Sequence, residues 1–454
     1  MPNEVHQPGS TSAAEVALAG AAPARAEREP RGPGASGARS PADDCVHCGF
    51  CLPTCPTWQS WQEEMDSPRG RIDLFRALEE GKVAMSDAVA AHFDRCLGCM
   101  ACVTACPSGV RYDHVIDRAR VLVEEHHARP PADRLWRAFV FALFTRPWLL
   151  RIAAAALWVF RVTRLQALAR RLGIPRLSRR IASMDALAPP MSLGEVFQGL
   201  PRLTAAKGER RLRAGLVGGC VQRVFFPNVN AATVRVLAAE GVEVVVPAGQ
   251  GCCGALSVHA GRADEARRLA RALVETFEKE QLDVVVVNAA GCGSHLKDLA
   301  HVFADDPAFL PRARAFSEKV RDVSELLASL PQRAPRAPLR ARVAYHSPCH
   351  LGHAQRITEA PRALLRAIPG VELVEVPDGE QCCGSAGVYN LVEPASADEV
   401  GRRKAEAVLS TKAAILASAN PGCSLQIRRM VEEKGAAVET AHPIEIIDRA
   451  IRGG

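Results

Sequence analysis

Eight cysteines stand at two copies of one spacing, C-x-x-C-x-x-C-x-x-x-C-P: Cys45, Cys48, Cys51 and Cys55 before Pro56, and Cys96, Cys99, Cys102 and Cys106 before Pro107. One loop supplies three thiolates to a compact object and a more distant cysteine supplies a fourth, the pattern of a pair of [4Fe–4S] clusters. In such pairs the fourth cysteine serves the other cluster. The expected ligand sets are therefore Cys45, Cys48, Cys51 with Cys106, and Cys96, Cys99, Cys102 with Cys55. Zinc sites also use C-x-x-C pairs, but rarely three evenly spaced cysteines in one loop followed by Cys-Pro.

The other eight of the sixteen cysteines form two further quartets: Cys220, Cys252, Cys253, Cys292 and Cys349, Cys382, Cys383, Cys423. Successive intervals are 32 and 40 residues in one, 33 and 41 in the other, which marks a duplication. Each quartet includes a Cys-Cys-Gly triplet, Cys252-Cys253-Gly254 and Cys382-Cys383-Gly384. Strand-like runs precede the cysteines: Ala214 to Val217, Val242 to Val246 and Val284 to Val287, then Val343 to Tyr345, Val371 to Val376 and Ala413 to Ala417. With helical patterns between them, these runs predict βαβ units on a parallel sheet. Ligands gather at the carboxyl edge of such sheets, so four cysteines per copy can converge on one point. Four thiolates suit a cluster, a zinc ion or redox thiols; the alternative is that these cysteines are small buried hydrophobes.

The elements that must position these residues set an α+β chain. A disordered tail is expected over residues 1–43, rich in Ala, Gly, Pro, Ser and Arg. A helical two-cluster ferredoxin-like domain follows over 44–125, with Ile72, Phe75 and Leu78 on one helix face. A basic amphipathic helical connector spans 126–205, and two α/β Cys-Cys-Gly domains occupy 206–335 and 336–454, joined through the Pro-rich stretch Pro331 to Pro338. The forty-four residues between Cys51 and Cys96 exceed what a minimal ferredoxin allows and favour a helical two-cluster domain. Cysteines clustered at metal spacings in a chain of 454 residues exclude a secreted disulfide scaffold and point to a reducing compartment, the cytoplasm. Glu15 interrupts the small apolar residues near the N-terminus, so no secretory signal is read there.

Residues 128 to 180 carry twelve Arg and one acid, Asp133, making this segment +11 in a chain of net charge +7. Trp136, Phe139, Phe141, Phe144, Trp148, Leu149, Trp158 and Phe160 stand among these arginines. The longest uncharged run, Ile152 to Phe160, is far below the roughly twenty residues needed to span a bilayer. Two expectations remain open. The helices lie on an anionic lipid surface, or their apolar faces pack on the Cys-Cys-Gly domains. Nucleic acid is not expected as a partner.

Taken together, Cys45-Val46-His47-Cys48-Gly49-Phe50-Cys51, Pro68-Arg69-Gly70-Arg71-Ile72, Cys106-Pro107-Ser108-Gly109-Val110-Arg111-Tyr112, the paired Cys-Cys-Gly loops and Asn420-Pro421-Gly422-Cys423 resemble the iron–sulfur subunit of glycolate oxidase, from about residue 44 to the end. The resemblance implies a complex in which FAD-binding subunits oxidise glycolate to glyoxylate, or D-lactate, while this subunit carries electrons towards a quinone or another respiratory-chain acceptor. It would be a non-flavin subunit inactive alone, without catalytic residues of its own, cytoplasmic or peripheral on the cytoplasmic face of the inner membrane. The Cys-Cys-Gly subunits of heterodisulfide reductase and of anaerobic glycerol-3-phosphate dehydrogenase, with the lactate-utilisation proteins, belong to the same circle. Some of these relatives end the Cys-Cys-Gly motif in C-x-x-C; here His295 and Gln426 hold the final positions. The eight repeat cysteines are accordingly carried as a third redox site, holding a further iron–sulfur or metal centre, or as a docking platform. A heterodisulfide-reductase-like or glycerol-3-phosphate-dehydrogenase-type redox subunit, with thiol or cluster chemistry in the repeats, is the rival reading. No G-x-G-x-x-G follows a strand, and Gly215 to Gly219 reads as a strand end approaching Cys220, so hydroxy-acid oxidation is expected on another polypeptide.

Overall fold

The computed structural model describes residues 40–453; the tail expected over 1–43 lies outside them as far as position 39. Its last residues are part of the fold. Ala42 is 0% exposed in the first helical core, and its carbonyl accepts a hydrogen bond from Arg76. The ordered chain therefore starts ahead of residue 44, because that carbonyl helps to anchor the loop of Cys45.

Among the described residues no strand precedes Leu203, so the two-cluster unit is helical. Its central helix, Pro68–Glu79, begins where Ser67 caps it: the hydroxyl accepts from the Gly70 N–H at 3.0 Å and Pro68 takes the first turn. Ile72 and Phe75 on this helix pack with Val89 and Phe93 of Asp87–Asp94 and with Val115 and Ile116 of Tyr112–His126. A Cβ at Gly70 would lie 2.0 Å from the Glu64 carbonyl oxygen, so the helix can fold back on the Glu64–Met65 backbone only with glycine there.

Two sheets follow. The first comprises β1 (Leu203–Thr204), β2 (Leu212–Val217), β3 (Val242–Val245), β4 (Val284–Val287) and β5 (Val320–Asp322) in the order β1-β3-β2-β4-β5. The second comprises β6 (Ala341–His346), β7 (Val371–Glu375), β8 (Ile415–Ser418) and β9 (Glu439–Ala441) in the order β7-β6-β8-β9. All pairings are parallel except β1 with β3. The duplication extends to register: Ala214 faces Val244 and Val284, while Ala344 faces Val374 and Leu416. The strands β1, β5 and β9 have only two or three residues each, too few to leave a periodic signal in the sequence.

The two repeats differ from a pair of domains on a Pro-rich tether, because they share one core. Helix Pro227–Ala239 is buried almost all round and packs against helix Pro443–Arg452; Leu216 and Val286 of one sheet lie in the same cluster as Tyr345 and Ala417 of the other. Arg235 closes the seam on Asp448 with two bonds of 3.0 and 2.6 Å. At the cysteine end the Ala290 N–H donates to the Ala419 carbonyl, so the two Cys-bearing loops are paired by backbone.

The connector helices Pro131–Thr145, Pro147–Val162 and Arg179–Leu187 cover this end. Val140, Phe141 and Leu187 pack on Val388 and Leu391, and Leu150 and Ala154 pack on Val196 and Val224. The inner face therefore does what the packing expectation required. The outer face is nonetheless apolar: Trp148 is 62% and Leu177 80% exposed, with Leu135, Ile152 and Leu172 also in solvent. Among the described residues no single helix is long and apolar enough to cross a membrane; Pro131–Thr145 and Pro147–Val162 reach that length and composition only as a pair bent by 100°.

Candidate functional site

Two cavities of the helical unit separate the first eight cysteines by their loops. One is lined by Cys45, Cys48, Cys51 and Cys106, with Cys102 reaching its wall. The other is lined by Cys55, Cys96, Cys99 and Cys102. The fourth cysteine of each motif thus lies with the other motif's loop, because Pro56 and Pro107 turn the chain away after it and Pro68 and Tyr112 stand between both cavities. Donors surround the sulfurs: the Val110 N–H reaches Cys106 Sγ at 3.4 Å, the Gly98 N–H reaches Cys96 Sγ at 3.4 Å, and Tyr112 Oη lies 3.5 Å from Cys96 Sγ. Such contacts to sulfur tune iron–sulfur potentials.

Burial pushes the Cys51 thiol up to about 11 and those of Cys99 and Cys102 well above the usual range. A site that resists free thiolates to this degree fits cationic iron, which is what would offset the cost of four ionised sulfurs. One fixed charge assists. Arg71, 1% exposed, lines the second cavity and is held on Asp66, equally buried, at 3.1 Å. Burial opposes the Arg71 charge, but Cys96, Tyr112, Cys55 and Asp66 outweigh it and hold the guanidinium protonated. Asp66 is bound also by Arg95 at 2.9 Å and His92 at 3.0 Å.

The repeat cysteines converge as well. A chain of thiol contacts joins Cys220 to Cys252, Cys252 to Cys253 and Cys253 to Cys292 in one copy, and Cys349 to Cys382, Cys382 to Cys383 and Cys383 to Cys423 in the other. Contact with Cys252 and with Cys382 respectively, then burial, push the Cys220 and Cys349 thiols well above their ordinary value. The triplet glycines make this possible: Gly254 and Gly384 have φ of +96° and +86°, and a Cβ would meet the carbonyl oxygens of Ala266 at 2.8 Å and Ala397 at 2.4 Å. Both quartets line one cavity of about 400 Å³ between the repeats and the connector helices.

At the two positions where some relatives have another cysteine, the residues do different work. Gln426 is fully buried and spent on structure, accepting from Asn390 Nδ2 at 3.1 Å and donating to the Ala397 carbonyl at 3.2 Å. His295 is buried with Nε2 unpartnered, beside the Gly254 backbone, and burial lowers its pKa to about 4. The second quartet gains a residue that sequence reasoning passed over. His346, the last residue of β6, has both ring nitrogens buried without a hydrogen-bond partner, and its ligand atom and the sulfurs of Cys383 and Cys423 lie within 4.8 Å of one another. Its only sequence signal is its place three residues before Cys349, where Val217 stands in the first copy.

The two halves of the chain meet at their cysteines. Cys99 packs in one buried cluster with Cys349, Cys382 and Tyr389. Tyr389 Oη donates to the Arg95 carbonyl at 3.0 Å, and Thr104 Oγ1 lies 2.6 Å from His353 Nδ1, fixing this contact from both sides. The opposite end of the cysteine series is open, since Cys48 is exposed.

Comparison with known proteins agrees with this layout. Residues 41–110 match a 4Fe-4S dicluster domain, residues 215–297 and 343–428 each match a cysteine-rich domain, and residues 132–188 match the linker region of glycolate oxidase iron–sulfur subunits. The chain is 34% identical to the probable glycolate oxidase iron–sulfur subunit of Bacillus subtilis (strain 168) over 391 residues, 85% of this chain and 88% of the relative. This chain belongs to the glycolate oxidase iron–sulfur subunit family. The Escherichia coli (strain K12) member is also 34% identical, over 86% of this chain and 89% of its own length. Lactate utilization protein A of an Exiguobacterium species is 27% identical over 51% of this chain and 96% of its own. Membership makes this an α+β iron–sulfur protein and a subunit of a larger oxidoreductase complex.

Proposed function

We propose that the chain is the electron-transfer subunit of a complex oxidising glycolate to glyoxylate, or a near relative such as D-lactate, with FAD-binding subunits performing the oxidation. Two [4Fe–4S] clusters, held by Cys45, Cys48, Cys51, Cys106 and by Cys96, Cys99, Cys102, Cys55, supply one-electron chemistry. Cys220, Cys252, Cys253, Cys292 and Cys349, Cys382, Cys383, Cys423 hold a further iron–sulfur or metal site, with His346 available to the second quartet. Electrons enter on the side of exposed Cys48 and leave on the Cys-Cys-Gly side, towards a quinone or other respiratory acceptor. The observation that carries this reading is the packing of Cys99 on Cys349 and Cys382, which joins the ligand shells of the two halves. Alone the chain has no activity on hydroxy acids. The exposed apolar face of the connector, set among arginines, supports a peripheral place on the cytoplasmic face of the membrane.

Iron analysis and EPR on anaerobically purified chain test the cofactor content. About eight irons per chain are expected from the two cubane sites, and more when the repeat quartets are loaded. Fewer than about four irons, or stoichiometric zinc, would overturn the assignment.

A further inference from the structure

The cavity between the repeats has two ends of different chemistry. One end carries both cysteine quartets. The other is walled by the apolar side chains Phe144, Leu157, Phe160 and Ala169. Among the described residues the lining includes a single carboxylate, Asp185, which is tied to Arg170 at 2.8 Å and Gln166 at 2.7 Å, and no lysine or arginine. A hydroxy acid, a nucleotide or a phosphate would find no cation here. The occupant must be neutral and largely apolar, yet three buried polar atoms on the lining lack partners: Gln222 Oε1, His259 Nδ1 and Ser385 Oγ. The walls reach the surface at Ile174 and Ile181, each 42% exposed, beside exposed Leu172 and Leu177. The mouth therefore opens on the apolar outer face of the connector.

We propose that this cavity binds a lipid-soluble quinone, entering from the membrane between Ile174 and Ile181, with its tail along the connector helices and its head between His259 and Ser385. This rests on the electron-transfer reading and names the acceptor for it. Two electrons from the chain's reduced iron–sulfur thiolate centres, filled by hydroxy-acid oxidation on the flavin subunits, and two protons from water at the mouth convert both ring C=O groups to C–OH. Two O–H bonds form and hydroquinone leaves by the same opening.

The test uses full-length chain, purified anaerobically and reduced with dithionite, so that no flavin partner is required. Stopped-flow reoxidation is followed with a short-tailed ubiquinone analogue and, separately, with ferricyanide. In Ala169→Trp and Ala153→Trp, which fill the apolar end, the ratio of quinone rate to ferricyanide rate falls at least tenfold. A quinone carrying its azide on the tail photolabels wild-type chain within residues 143–189, and excess unlabelled quinone removes the label. Unchanged ratios in both variants, labelling confined to another region, or displacement by phospholipid but not by quinone would overturn the proposal. If either variant misassembles, the labelling decides. A chain that binds the label yet cannot be reduced contradicts the electron-transfer reading and leaves the quinone site standing; a chain that reduces ferricyanide but neither binds nor reduces quinone does the reverse.

Discussion

Replacing Cys55 by Ala is expected to remove about four irons per chain, and the lost cluster is the one built on Cys96, Cys99 and Cys102, not the one whose loop Cys55 follows. The cavity that holds Cys55 is lined by the second motif's loop, while Cys106 lines the first. Pairs of substitutions read this crossing directly. Cys55→Ala with Cys96→Ala removes no more iron than either alone, because both empty one site. Cys55→Ala with Cys48→Ala removes about eight. In-line ligation gives the opposite result: the pair of Cys55 and Cys48 then costs about four, the pair of Cys55 and Cys96 about eight. Serine variants repeat the comparison where alanine impairs folding. Each lost cluster also costs stability, since metal bound only by the folded chain contributes its binding free energy to folding.

The second large effect concerns Arg71. Arg71→Met is expected to destabilise the helical unit by about 3 kcal/mol, because Asp66 is then left buried with one cation fewer. Arg95, which stays on Asp66 at 2.9 Å, keeps the loss at the low end of the range for broken buried pairs. A second consequence separates charge from packing. The guanidinium faces Cys96 and Cys55, so it favours the reduced, more negative state of whatever those thiolates hold; its removal lowers the midpoint potential there and spares the Cys45 site. Redox-poised EPR reads the shift, and denaturant melts read the stability. Adding Asp66→Asn restores part of the stability and, by removing the carboxylate's negative charge, part of the potential. Equal downward shifts at both sites, or none, would contradict this role.

Much of this was legible in the sequence because thiolate spacing is a direct statement of coordination geometry. The valine run of β4 was equally plain, since a strand buried on both faces reads as a continuous apolar stretch. What local pattern could not supply was contact between distant segments. The burial of Cys99 against Cys349 and Cys382, the single core shared by Leu216 and Tyr345, and the orphaned nitrogens of His346 each depend on residues far apart in the chain coming together in the fold. The connector was ambiguous for a physical reason: Val140 and Phe141 face the repeats while Trp148 and Leu177 face outward, and a helix apolar on both sides reads the same whichever side is covered. The fold begins ahead of the boundary that composition suggests because Ala42 joins the core through its small size and its carbonyl, neither of which marks a sequence.

In the proposed complex, electrons released by hydroxy-acid oxidation on partner subunits cross this chain from the two-cluster unit to the Cys-Cys-Gly end. Rapid mixing of the anaerobic, quinone-depleted complex with glycolate, with the iron–sulfur absorbance of this chain followed in time, addresses it most directly. The expected result is that this absorbance bleaches within one turnover, that Cys55→Ala and Cys382→Ser each stop acceptor reduction while the flavin still reduces, and that the bleach recovers when a quinone analogue is added. Full acceptor turnover in a complex whose iron–sulfur absorbance never changes would contradict it.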